Sequence, residues 1–157
     1  MATLKTDIST AIDSAHVTKR VSGVLASGSV RLLEATYTFT GTEAASGDVI
    51  EIGEVPTGAV VLPELSRVAN EAALGGSDLA LPKIGDALDD DRYSATSLSL
   101  HSSNAANQAL TANVADGLIN RHVVTEATKR LRATFSRTNV PTAGKKVKFL
   151  IAFRLGS

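Results

Sequence analysis

Residues 145–155 read KKVKFLIAFRL, and this stretch decides the fold class. Large apolar residues recur at every second position, which places them on one face of an extended chain. These residues are Val147, Phe149, Ile151 and Phe153. A helix would require a repeat of three to four residues, so the stretch is predicted to be a strand with one face in a core.

Residues 129–137 (KRLRATFSR) alternate in the same way, with Leu131, Ala133 and Phe135 on one face. The intervening residues 140–144 (VPTAG) have the composition of a turn. If the two strands pair as a hairpin, four cations are expected close together on one sheet surface: Arg130, Arg132, Lys146 and Lys148.

Like charges on adjacent strands repel, and a partner's carboxylates would offset that repulsion. The four cations are therefore a candidate interface. The alternative is a solvated sheet face whose lysines prevent edge-to-edge aggregation.

Shorter strands precede these two, separated by turns that contain glycine or proline. They are predicted within residues 29–40, 48–52, 59–69 and 79–84. Residues 32–35 (LLEA) break the alternation and predict a bulge or bend, while Pro63 predicts an edge or a kink. Roughly seven to nine short strands without a long helix indicate an all-β sandwich or barrel, and we expect an antiparallel β-sandwich.

Residues 1–28 lie before the first clear strand and are predicted to form an N-terminal arm, leaving residues 29–157 as the sandwich domain. Leu4, Ile8 and Ile12 are close to helical spacing. The arm is expected to be either a short amphipathic helix or extended chain. Its three apolar residues are further interface candidates.

Composition excludes several classes of function. With 16 basic and 16 acidic residues the net charge is zero, which argues against a general nucleic-acid binder. There is no cysteine, so disulfides and thiolate metal sites are impossible, and assembly in a reducing cytosol is favoured. No apolar run is long enough to cross a bilayer, and the first 15 residues do not resemble a signal peptide. We therefore expect neither a nucleic-acid nor a membrane partner.

No motif indicates catalysis, a cofactor or a metal centre. His16, His101 and His122 are scattered, and neither a nucleophile elbow nor a phosphate-binding loop is present. The densest carboxylate group is residues 86–91 (DALDDD), which is either an exposed turn or an oxygen-rich cation site. The sequence predicts no catalytic, cofactor-binding or metal residue and no enzyme.

Three segments resemble virion proteins of tailed bacteriophages. Residues 35–61 contain a strand rich in Thr and aromatic residues, then GDVIEI and PTGAVV; residues 84–95 read IGDALDDDRYSA; residues 143–155 close with a turn and KVKFLIAFRL. The resemblance spans residues 29–155. It implies a decoration, cement or minor capsid protein with a jelly-roll-like sandwich, bound to the major capsid protein as a homo-oligomer, with a trimer favoured.

The function expected from the resemblance is stabilisation of the capsid shell on the virion surface, after assembly in the host cytoplasm. One alternative is a phage tail, neck or fibre-base component. Another, from a different class, is a carbohydrate-binding sandwich module. That alternative requires exposed aromatic side chains, and aromatic residues are only 4% of the chain.

Overall fold

The structure is a computed structural model of the chain, and it describes residues 3–5, 30–43, 47–70, 74, 79–94, 98–99, 106–111, 121–137 and 142–155. Within these ranges the regular structure is ten strands and one short 3-10 helix, at Pro63–Leu65. The strands are β1 (Thr3–Lys5), β2 (Val30–Thr38), β3 (Val49–Glu54), β4 (Ala59–Val61), β5 (Arg67–Asn70), β6 (Leu79–Gly85), β7 (Leu98–Ser99), β8 (Ala106–Ala109), β9 (Arg130–Arg137) and β10 (Lys146–Leu155).

The strands form two sheets. Sheet A has the order β1-β3-β9-β6-β7, and sheet B has the order β2-β10-β5-β8, with β4 also paired to β10. All pairs are antiparallel except β1 with β3. The predicted all-β, antiparallel sandwich is confirmed. The jelly-roll connectivity and the arm boundary at residue 28 stay predictions.

The core lies between the sheets and is filled from both. Phe135 of β9 approaches Phe39, which follows β2, with ring centroids 5.9 Å apart. Phe39 also meets Tyr37 edge to face at 5.1 Å. The largest fully buried side chains are Phe39, Phe135, Phe149, Ile50, Ile52, Leu74, Ile84, Leu131 and Ile151. Burial of this apolar surface is the main favourable term in folding.

β9 and β10 do not pair as a hairpin, so the condition for gathering the four cations is not met. β9 lies between β3 and β6 in sheet A, whereas β10 lies between β2 and β5 in sheet B. Each strand turns its apolar face to the same core from opposite sides, so the two cannot be neighbours in one sheet. Arg130 and Arg132 are therefore separated from Lys146 and Lys148.

The predicted bulge at residues 32–35 is also wrong. β2 pairs with β10 in unbroken register from Val30 opposite Arg154 to Thr38 opposite Lys146. Leu33 is buried, and Leu32 points to the opposite face, where 63% of it is exposed. The two adjacent leucines reflect one inward and one outward position rather than an irregular backbone.

Two other local predictions have mixed outcomes. Pro63 interrupts the strand predicted for residues 59–69: β4 ends at Val61, and the 3-10 helix separates it from β5. A helix at the N-terminus is wrong for Thr3–Lys5, which form a strand. Ile8 and Ile12 lie outside the described residues.

Candidate interaction surfaces

The outer face of sheet B carries an apolar patch, formed by Val30, Leu32, Val60, Leu62, Val123 and Ala152. Cross-strand register places most of it: Ala152 stands opposite Leu32, and Arg154 stands opposite both Val30 and Val60. Val60 in turn bridges to Val123. Side chains opposite each other on paired strands share one face, so these residues lie on one surface outside the main core, with Arg154 between Val30 and Val60.

The patch has a buried floor and exposed contacts. Val60, Leu62 and Ala152 pack together as a small cluster separate from the main core, and Ala152 is fully buried. Above this floor, Val30, Leu32 and Val123 are 52%, 63% and 52% exposed. Val30 and Leu32 lie two residues apart on the same face of β2, and neighbouring exposed apolar side chains of this kind are typical of an interaction surface.

Ser66 fixes the floor of the patch to β10. Its hydroxyl donates to the carbonyl of Leu62 at 2.8 Å and accepts from the amide of Ala152 at 2.9 Å. The amide of Leu62 also donates to the carbonyl of Ala152. These bonds replace the ladder bonds lost where the chain leaves β4 for the 3-10 helix, so the patch sits on a rigid base.

Charged groups border the patch. Glu34, two residues after Leu32 on the same face of β2, forms an ion pair with Lys148 at 2.5 Å. Arg121 forms a second ion pair, with Glu64, at 2.6 Å. Arg154, between Val30 and Val60 in the register, is exposed. An apolar centre with a polar rim is the usual composition of a protein–protein interface.

The outer face of sheet A is charged and internally neutralised. Arg130 donates to Glu54 at 2.9 Å and to Glu51 at 3.3 Å, while Arg132 lies 3.8 Å from Glu51. The pairs arise from register, because Glu54 stands opposite Arg130 and Glu51 opposite Arg132. β3 thus supplies carboxylates to Arg130 and Arg132 from within the chain, and their role as an interface stays a prediction.

Replacement of Glu51 by glutamine tests this network. Glu51 is almost fully buried between two guanidinium groups, so its neutralisation is expected to lower the free energy of unfolding by about 1–2 kcal/mol. The matched control is Glu126→Gln, at an exposed carboxylate paired with Lys129, where the expected loss is smaller because solvent screens the pair. Urea unfolding of both variants measures the difference, and equal losses would contradict a structural role for Glu51.

The carboxylates at residues 86–92 build a tight turn. Asp86 is buried and accepts hydrogen bonds from the amides of Leu88 at 2.9 Å and Asp89 at 3.2 Å. It also accepts from Nε of Arg92 at 2.7 Å. These hydrogen bonds support the interpretation of this segment as a turn, because the Asp86 carboxylate accepts backbone amides and does not point freely into solvent.

Asp89, Asp90 and Asp91 have carboxylate oxygens within 4.8 Å of one another. Lys83 binds Asp90 at 3.0 Å, and Arg92 lies 3.7 Å from Asp89. A hydrogen bond with Asp89, burial and the charge of Asp89 raise the pKa of Asp91. Two neighbouring cations thus compensate this cluster, and the cation-site alternative stays a prediction.

Within the described ranges, no other group of histidine and carboxylate side chains is close enough to hold an ion, and no helix could span a bilayer. Nε2 of His122 lies 2.9 Å from the Thr128 hydroxyl. His16 and His101 fall outside the described residues.

No protein-family model matches the sequence, and no curated protein matches it. Its fold is similar to that of two phage capsid chains. One belongs to the cyanophage Pam1 capsid asymmetric unit, with a TM-score of 0.57 and 22% identity over 91% of this chain and 96% of that one. The other belongs to the capsid of Ralstonia phage GP4, with a TM-score of 0.62 and 17% identity over 99% of both chains.

The site predicted from sequence and the surfaces in the structure differ. Lys146 and Lys148 share the outer face of sheet B with the apolar patch, but Arg130 and Arg132 do not. Leu4 stands opposite Ile50 in sheet A. The sequence reasoning missed the patch itself; the signal was Leu32, an apolar residue on the polar side of an alternating strand.

Proposed function

We propose that this chain is a capsid decoration protein: a virion structural protein, also called a cement or minor capsid protein, that binds the major capsid shell from outside and stabilises it. The observation that carries the proposal is a fold similar to that of two chains from phage capsid structures, with the similarity covering almost the whole length of both this chain and those chains. The proposed location is the virion surface, after assembly in the host cytoplasm, and the proposed role is structural, without enzymatic activity.

Binding would bury the apolar patch against the shell. Removal of Val30, Leu32 and Val123 from water is worth roughly 1 kcal/mol for each half-exposed side chain. About 3 kcal/mol gives only weak attachment of a single copy. A homo-oligomer, for which we favour a trimer, would multiply these contacts and hold firmly through avidity. The arm residues Leu4, Ile8 and Ile12 are proposed as additional contacts.

A phage tail, neck or fibre-base position is the structural alternative, and location of the protein in electron micrographs of intact particles would separate the two. A carbohydrate-binding module is not supported. Every aromatic side chain of the protein is in the described part and is buried: Tyr37, Phe39, Tyr93, Phe135, Phe149 and Phe153. No aromatic platform is left to stack on a sugar ring.

The Leu32→Gln variant tests the patch as the contact with the shell. Leu32 is more than half exposed, so the variant should fold normally, but each copy loses an apolar contact from the patch. We expect at least about tenfold weaker binding to capsids assembled without the protein, measured by co-sedimentation.

The control is Leu88→Gln, which removes a leucine that is 71% exposed at the tip of the 86–92 turn, away from the patch. This variant should bind as the unmodified protein does. If Leu32→Gln also keeps full binding, the patch is not the contact with the shell. If the unmodified protein does not bind capsids at all, the decoration role is wrong.

A further inference from the structure

The outer face of sheet B carries more positive than negative charge. Strand register fixes which side chains point outward, because residues opposite each other on paired strands share a face. On β10 the outward positions are those that alternate with the residues of the main core. The outward charged side chains of the described sheet B strands are four cations and one carboxylate: Arg67, Lys146, Lys148, Arg154 and Glu34. The whole chain has zero net charge, so this face is locally basic.

Arg154 has an exposed guanidinium that the chain itself does not neutralise. Four other described arginines each lie within 3.8 Å of a carboxylate oxygen of the same chain: Arg92, Arg121, Arg130 and Arg132. Within the described ranges, the Arg154 side chain has neither a hydrogen bond nor an ion pair. The outward carboxylate of sheet B, Glu34, already pairs with Lys148. The charge of Arg154 is therefore available to a partner.

The position of Arg154 makes it part of any contact that the apolar patch forms. It stands opposite Val30 on one side and Val60 on the other, so a surface that covers both valines also covers the guanidinium. A charge that loses water without gaining a partner opposes binding, whereas a carboxylate offsets that loss with two parallel hydrogen bonds. Arg67 also lacks a partner in the described chain, but it stands opposite Leu150, outside the patch.

We propose that the capsid-shell surface covering the patch is acidic and places a carboxylate against Arg154, which makes Arg154 the residue that selects the binding site on the shell. This inference rests on the proposed function, because it names the chemistry of the partner that the patch contacts. An apolar surface without an anion would leave the arginine unpaired, so the pair discriminates against wrong surfaces. The positive charge of the surrounding sheet face complements an acidic surface and favours encounter with it.

The Arg154→Gln and Arg154→Glu variants test the pairing by co-sedimentation with capsids assembled without the protein. Both variants should keep the melting temperature of the unmodified protein, because Arg154 is exposed and makes no described side-chain bond. Arg154→Gln should bind at least about tenfold more weakly, and Arg154→Glu at least about 100-fold, because its charge repels the shell carboxylate. The control is Lys146→Gln, which removes a positive charge from the same face at the other end of β10. That position is about 26 Å away, beyond the range of unscreened charge, so its loss should stay below about threefold.

The outcomes separate this proposal from the proposed function. Full binding by Arg154→Glu would overturn the pairing, and the patch would remain the contact with the shell if Leu32→Gln still weakened binding. Equal losses for Arg154→Gln and Lys146→Gln would also overturn it, because general attraction between charged surfaces would then explain both. If the unmodified protein does not bind capsids, both proposals are wrong.

Carbodiimide crosslinking provides a second readout, because this reagent joins an amine directly to a carboxylate that contacts it. The Arg154→Lys variant keeps the positive charge, supplies the amine and should bind capsids within about tenfold of the unmodified protein. After treatment of capsids with the bound variant, mass spectrometry should find position 154 joined to an acidic residue of the shell protein. The absence of that link, or a link from position 154 to another copy of this chain in its place, would overturn the proposal.

Discussion

The Gly85→Ala variant is expected to lose about 3 kcal/mol of stability, a fall of roughly 10 °C in the melting temperature for a chain of this size. A Cβ atom at Gly85 would lie 2.0 Å from the carbonyl oxygen of Asp89 and 2.5 Å from the carbonyl carbon of Asp90. Both are backbone atoms of the 86–92 turn, so no flexible side chain can move aside. The turn must open, and the buried hydrogen bonds of Asp86 weaken with it.

Gly58→Ala is the matched control, because it has the cost of an unfavourable backbone conformation without the cost of a steric clash. Gly58 has a φ of +85° and nothing within 4 Å of the added atom. Its replacement should cost only about 1 kcal/mol, from the left-handed backbone alone. Thermal unfolding of both variants gives the comparison. A Gly85→Ala loss no larger than that of Gly58→Ala would show that the turn accommodates a side chain.

The Glu43→Gln variant is expected to lose about 2–3 kcal/mol at neutral pH. The carboxylate is buried and accepts hydrogen bonds from the Tyr37 hydroxyl at 2.6 Å and from the amides of Thr40 at 2.7 Å and Gly41 at 2.9 Å. Burial alone would raise its pKa. The hydrogen bonds from the Thr40 amide and the Tyr37 hydroxyl outweigh burial and lower the pKa of Glu43 from 4.5 to about 2.

The sign of the pH dependence follows from that depressed pKa. Because the folded protein holds the carboxylate ionised more strongly than the unfolded chain does, the stabilisation is complete above about pH 4.5. It is lost as the pH falls toward 2, and the total is about 3 kcal/mol. Urea unfolding at a series of pH values should show this loss in the unmodified protein and a shallower dependence in Glu43→Gln.

Glu34→Gln controls for the general effect of removing a carboxylate, because Glu34 is more than half exposed beside Lys148. Its stability at pH 7 should change by less than about 0.5 kcal/mol, with the acid dependence of the unmodified protein. If Glu43→Gln behaves the same way, the hydrogen bonds around Glu43 do not carry the expected stabilisation.

Most of the strands were predictable from the sequence, but β1 and β8 were not, and the neighbours of each strand were not either. In β10, Val147, Phe149 and Ile151 are buried as the two-residue period predicts. The same period in β9 predicts its inward face equally well. The period carries no information about which strand lies alongside, and the short turn between β9 and β10 left open a hairpin that the structure does not contain. Two strands whose apolar faces meet across a core have the same alternating sequence pattern as two strands that are neighbours in one sheet.

The interaction surfaces show the same limit. Leu32 is exposed because sheet B presents part of its outer face as apolar surface, yet in the sequence it resembled a break in the strand. Arg130 and Arg132 were visible as cations, but their partner Glu51 lies about 80 positions earlier in the chain. Pairings of this kind depend on register between distant segments, which periodicity does not encode.

The central place of β10 has a consequence for protein synthesis. β10 is the only described partner of β2 and the main partner of β4, and it pairs positions more than 100 residues apart, such as Lys146 with Thr38. A ribosome therefore releases β2 and β4 long before their shared neighbour is translated. Until residues 146–155 emerge, the nascent chain holds open strand edges and an unclosed core, so productive folding should begin late and depend on protection from aggregation.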